Sequence, residues 1–151
     1  MSIRAGIRGI RVKESSVAQF SFFGQLVTRE AGLMEVDPAI FGSIKQALRS
    51  TQVDYVHDDI IGAIANSADR YDFVSLSDVP SFLPPAIETL YLRDMRPGLA
   101  PGAMVVVRGN LRVIRPQTRG YEDTSDSISE LCRREKTQLW HINAFKRTAA
   151  P

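Results

Sequence analysis

Two runs of strand character constrain this chain more than any other feature: Tyr-Asp-Phe-Val-Ser-Leu-Ser-Asp-Val at 71–79 and Met104-Val105-Val106-Val107, with a segment of helical spacing between them. A strand, a helix and a second strand in that order specify a right-handed crossover and two parallel neighbours. The first run is apolar on both faces, as buried parallel strands are, and Pro80 and Ser81 bound it on the far side. Pro84-Pro85 precede the helix, Ile87, Leu90, Tyr91 and Met95 recur along it, and Pro97-Gly98 stop it. The second run is the most β-like of the chain and is entered through the tight connection Leu99-Ala100-Pro101-Gly102-Ala103.

The alternation extends to both sides. Asp37-Pro38 starts a helix, because the Asp side chain accepts from first-turn amides and proline is pre-set for the first helical position. Ile40, Phe41, Ile44 and Leu48 follow at helical spacing, with an end expected near Ser50. Val53, Tyr55 and Val56 form a short strand candidate, and Asp58 or Asp59 caps a second helix carrying Ile60, Ile61, Ile64 and Ala65. Beyond the second run, a polar loop is expected at 112–126, a helix at about 127–136 capped by Asp126 or Ser127, and a last strand at 138–145, antiparallel and at an edge. The pattern has no internal repeats and predicts an α/β fold with a mostly parallel sheet flanked by helices.

At 151 residues and 44% hydrophobic, the chain is long enough for one core and hardly for two. The expected organisation is a basic and aromatic segment at 1–36, a half-domain at 37–147 and a disordered tail at 148–151. In the first segment Ile3, Ile7 and Ile10 share a helical face, and Arg4, Arg8 and Arg11 repeat one residue later. That spacing suits an amphipathic helix on anionic lipid, whereas Gly6 and Gly9 weaken it and favour an ordinary basic terminus. Phe20, Phe22, Phe23, Leu26 and Val27 are apolar enough to pack, with an ambiguous period.

A net charge of +2 argues against a nucleic-acid partner, which needs several basic groups on one face. The single cysteine, Cys132, rules out an internal disulfide and a multi-cysteine zinc site. There is no apolar run long enough to span a bilayer and no signal-peptide stretch, so the cytoplasm is the expected compartment.

Ligands of open parallel sheets bind beyond the carboxyl ends of the strands. Three such ends are expected: His57-Asp58-Asp59, Ser75-Leu76-Ser77-Asp78-Val79 and Arg108-Gly109-Asn110. Asp58 and Asp59 serve either as helix caps or as acceptors for an amine or a ribose hydroxyl. Asp78 either fixes a turn or faces a ligand, Ser77 adds a hydroxyl, and Arg108 is suited to a carboxylate. His57, beside two aspartates, is a general-base candidate, whereas His141 beside Trp140 reads as packing. Cys132 reads as structural. The two histidines lack a Cys or Glu at ligand spacing, so no metal is expected, and neither a Walker loop nor Gly-x-Gly-x-x-Gly occurs.

The segments at 71–79 and 95–108, with the turn Leu99-Ala100-Pro101-Gly102-Ala103, resemble the fourth strand, following helix and fifth strand of class I S-adenosylmethionine-dependent methyltransferases. Ser75-Leu76-Ser77-Asp78-Val79, Leu83-Pro84-Pro85, Val107-Arg108, the helix from Phe41 to Lys45, and Leu139-Trp140 with Phe145-Lys146-Arg147 are similar, more narrowly, to the end of the betaine-lipid synthase family. Its best-known activity transfers the 3-amino-3-carboxypropyl group of S-adenosyl-L-methionine to diacylglycerol. The resemblance implies a partial Rossmann-like fold and S-adenosyl-L-methionine as cofactor. Asp59 would then lie near the adenine, with Asp58 a further cofactor-binding candidate, and Ser77, Asp78 and Val79 would border the sulfonium and the donated arm. Arg108 and Asn110 would lie on the acceptor side, and His57 or Asp78 would serve as base. The Gly-rich first strand and turn of such domains have no counterpart here, so a complementary amino-terminal-half polypeptide or a homo-oligomer is expected as partner. A non-catalytic α/β binding protein and a small-molecule methyltransferase are the alternatives.

Overall fold

The computed structural model describes residues 11–33 and 36–149, so Ile3, Arg4, Ile7, Arg8 and Ile10 of the basic opening, and the last two residues of the tail, lie outside the described residues. The chain forms two compact units, one of residues 1–55 with Arg134–Leu139 and one of Val56–Arg133 with Trp140–Pro151.

In the first unit, helix α1 (Ser16–Phe23) is capped by Ser15, whose hydroxyl accepts from the Ala18 amide at 3.2 Å, and ends on Gly24 in the left-handed conformation. Its anchor is polar. The fully buried Gln19 donates through Nε2 to the Val12 carbonyl at 3.1 Å and Thr28 Oγ1 at 2.6 Å, while its Oε1 accepts from the Val27 and Thr28 amides at 2.7 and 3.1 Å. All four hydrogen-bonding positions of that amide are filled, the condition on which a buried polar group is tolerated. The Ser15 hydroxyl donates to the Thr137 carbonyl and the Ser16 amide to that of Lys136, tying 134–139 into the same unit. Helix α2 (Pro38–Ala47) begins as expected, with Asp37 accepting from the Ala39 and Ile40 amides at 2.9 and 3.1 Å, yet none of its residues is buried. The strand expected at Val53, Tyr55 and Val56 does not form. All three are exposed and pair with nothing, so their β-propensity has no neighbouring strand to act on.

The second unit holds a four-stranded sheet in the order β1-β2-β4-β3. Strand β1 (Tyr71–Ser77) runs parallel to β2 (Leu99–Gly109), with Val74 opposite Val105 and Ser77 opposite Arg108. Strand β4 (His141–Arg147) is antiparallel to β2 and also to β3 (Tyr121–Asp123). The sheet is therefore mixed rather than mostly parallel: three strands share a direction, but only β1 and β2 pair in parallel. Nor is the last strand at an edge, because β3 forms inside the expected loop at 112–126 and pairs outside β4. Tyr121 holds it there. Its buried hydroxyl donates to the Leu92 carbonyl at 2.6 Å. Burial pushes the phenol up to about 12 despite the nearby Arg96 and Arg147.

One face of the sheet is covered. Val74, Leu76, Val105, Val107 and Phe145 form a core with Ile61 and Ile64 of α3 (Ile60–Ala65) and with Tyr91, Leu92 and Met95 of α5 (Tyr91–Met95). The crossover helix is shorter than its apolar spacing suggests, because the residues after Pro84-Pro85 make turns before α5 begins. Gly98 makes the approach of α3 feasible: a Cβ there would sit 1.6 Å from the Ile64 carbonyl oxygen. The helix expected at about 127–136 is a 3-10 turn at Ser125–Ile128 and a short α6 (Ser129–Arg133). The other face of β1 is open, with Phe73 57% exposed. Among the described residues no strand pairs with the outer edge of β1.

Candidate functional site

The carboxyl ends of β1 and β2 lie side by side and bring together Ser77, Asp78, Arg108 and Asn110. Asp78 leaves β1 in the left-handed region at φ 58°, a conformation that a short polar side chain tolerates better than most. Its amide donates to the Arg108 carbonyl at 2.7 Å, which continues the parallel pairing one residue past the strand. Its carboxylate turns inward. Oδ1 accepts from Ser81 Oγ at 2.6 Å and the Asn110 amide at 3.0 Å, and Oδ2 accepts from the Leu111 amide at 3.4 Å. Burial pushes the carboxyl up, but the bonds from Asn110, Ser81 and Leu111 outweigh it, and the group sits below the ordinary carboxylate range. Asp78 is thus an ionised latch that joins the exit of β1 to the loop after β2. Such a weakly basic, fully engaged carboxylate is poorly suited to the base role expected of it.

Ser77 and Arg108 are register partners, so their side chains share the open face of the sheet. The Arg108 guanidinium lies over the Trp140 ring, 5.7 Å from its centroid, and its Nε is buried without a hydrogen-bond partner. A stacked guanidinium whose Nε–H has no partner is suited to a carboxylate or phosphate. Val79 opens the short helix α4 (Val79–Phe82), and Asn110 contributes its backbone amide to the latch. A small cleft of about 10 Å³, with room for roughly one water, lies on the opposite face of the sheet from Ser77 and Arg108, lined by Val107, Gly109, Arg112, His141 and Asn143.

His57, Asp58 and Asp59 are not at a strand end, because the strand that would carry them is absent. All three are exposed. Asp59 caps α3, accepting from the Gly62 amide at 2.8 Å and the Ile61 amide at 3.4 Å, and Asp58 accepts from the Asp59 amide at 2.8 Å. Among the described residues no hydrogen bond links them to Asp78 or Arg108, and no His, Cys, Asp and Glu cluster could hold a metal. Ser81 and Trp140 are the residues that sequence reasoning missed. Ser81 had a signal, three residues after Asp78 at capping distance; Trp140 had none, being brought to Arg108 by the β2 and β4 pairing.

No protein family, curated protein or solved structure matches the chain. Among the described residues no helix is long and apolar enough to cross a membrane.

Proposed function

We propose that this chain supplies the carboxyl-terminal strands of a partial Rossmann-like domain that transfers the 3-amino-3-carboxypropyl group of S-adenosyl-L-methionine to a diacylglycerol-like or small-molecule acceptor. The observation that carries the reading is the parallel β1 and β2 pair with Ser77 and the stacked Arg108 side by side on its open face. In this reading Arg108 serves the carboxylate of the amino-acid arm rather than the acceptor side that the resemblance implied, with Ser77 opposite it in register. The outer edge of β1 carries no strand among the described residues, which favours completion of the site by a complementary half that adds a strand there. When bound, the sulfonium offers an electrophilic carbon and departs as a neutral thioether, so the residues here serve alignment more than proton transfer. The Asp78 latch then sets the position of Asn110 and of the strand ends rather than moving a proton. An acceptor hydroxyl needs a base other than Asp78, and His57, exposed and away from these strand ends, does not supply it here.

The hydrogen-bonded Asp78 carboxylate, engaged by Ser81, Asn110 and Leu111, also suits a non-catalytic α/β binding protein, and the two readings separate by calorimetry. Titration with S-adenosylmethionine should show binding that Arg108→Gln weakens about tenfold, the size expected for one charge-assisted contact. No heat from the chain, alone or with a complementary half, would overturn the transferase reading. Methylthioadenosine as product would separate aminocarboxypropyl transfer from methyl transfer, which leaves S-adenosylhomocysteine.

A further inference from the structure

We infer that the first compact unit carries a lipid-binding surface, formed by α1, α2 and the groove beside them, that docks on a bilayer containing anionic lipid. Helix α2 leaves all its residues exposed. At helical spacing Ile40, Ile44, Leu48 and Phe41 fall in one arc of about 100°, with Gly42, Ser43 and Gln46 away from it. Lys45 and Arg49 extend the arc on one flank, and neither forms an ion pair among the described residues. Helix α1 also leaves Phe22 and Phe23 exposed, by 73% and 53%. A groove of about 630 Å³ runs past Leu26, Leu33, Val36 and Ile40, with Arg29 and the α2-capping Asp37 also lining it. Its walls are mainly apolar and its volume falls within the range of small-ligand sites, as an acyl chain requires.

A chain in water rarely leaves so many large apolar side chains uncovered without a partner. The charges decide which partner. Arginine and aromatic rings occur at protein interfaces too, but lysine is depleted there, whereas interfacial helices set Lys beside Arg at the border of an apolar face. Lys45, Arg49 and Arg29 stand where lipid phosphates would meet them. The inference goes beyond the transferase reading and does not depend on cofactor binding.

The test is sedimentation of the full chain, without S-adenosylmethionine, with vesicles of phosphatidylcholine alone and of phosphatidylcholine with phosphatidylglycerol. The chain should sediment with the mixed vesicles and bind about tenfold more weakly to phosphatidylcholine alone. Phe41→Ser with Ile44→Ser should reduce binding at least about tenfold with an unchanged circular dichroism spectrum, since both side chains are exposed. Lys45→Glu with Arg49→Glu should abolish the preference for anionic lipid. A chain that stays in the supernatant with both vesicles overturns the inference, as does a double serine variant that binds like the parent. A dimer in gel filtration that the serine variant dissolves, with no vesicle binding, would assign the face to a second copy and also overturn it. Vesicle binding beside a flat S-adenosylmethionine titration would leave this inference standing and remove the transferase reading.

Discussion

At the scale of single residues, Asp78 shows how one side chain serves geometry at the place where chemistry was expected. Its three hydrogen-bond donors include the amides of Asn110 and Leu111, which lie 32 and 33 residues along the chain. Asp78→Asn keeps the shape but cannot accept at both atoms, and should cost about 1–3 kcal/mol, read as a lower urea midpoint. The pH dependence has a defined sign. The folded carboxyl sits below its unfolded value, so its contribution is complete above about pH 4 and is lost as the pH falls through the folded value. The stability difference between parent and Asp78→Asn should therefore shrink below about pH 4, and a difference that stays constant into acid would show that ionisation of Asp78 contributes nothing. The residue's importance was legible in its position after an apolar strand. Its partners were not, because amides that far along the chain reach it only once β2 lies beside β1.

Elements show the same division. The start of α2 at Asp37-Pro38 and the cap of α3 at Asp59 follow from local chemistry, since a carboxylate beside free first-turn amides needs no distant partner. The strand expected around Tyr55 failed for the opposite reason: a strand needs a neighbour, and nothing local supplies one. The position of β4 between β2 and β3 also depends on distant pairing. Where elements touch closely the sequence leaves a trace, as at Gly98, which the spacing marks as a helix stop and the packing needs as a close contact with Ile64. Gly98→Ala should push α3 away from the sheet and cost about 1–3 kcal/mol, measured as a shift in the urea midpoint at unchanged slope. A neutral result would mean that α3 does not pack against this turn.

For the whole molecule, the two compact units rest on unlike foundations. The second has an apolar core shared by the sheet, α3 and α5, whereas the first is pinned by the filled hydrogen bonds of Gln19 and leaves α2 uncovered. Hydrogen exchange should therefore be slowest in β2, which is paired on both sides, and fastest among the helices in α2. Protection of α2 equal to that of β2 in the isolated chain would contradict this order. Binding of vesicles should raise the protection of α2 and leave β2 unchanged.

The sequence by itself determined the α/β class, the β1, crossover and β2 succession, the capped helix starts and the strand-end positions of Ser77, Asp78, Arg108 and Asn110. Each follows from side-chain period or from backbone groups a few residues away. Only the tertiary structure decided that the sheet is mixed, that β3 closes it outside β4, that Asp78 is a latch and that Trp140 carries Arg108. These depend on pairings between segments tens of residues apart, whose free energy comes from burial and hydrogen bonds formed together and leaves no local pattern to read.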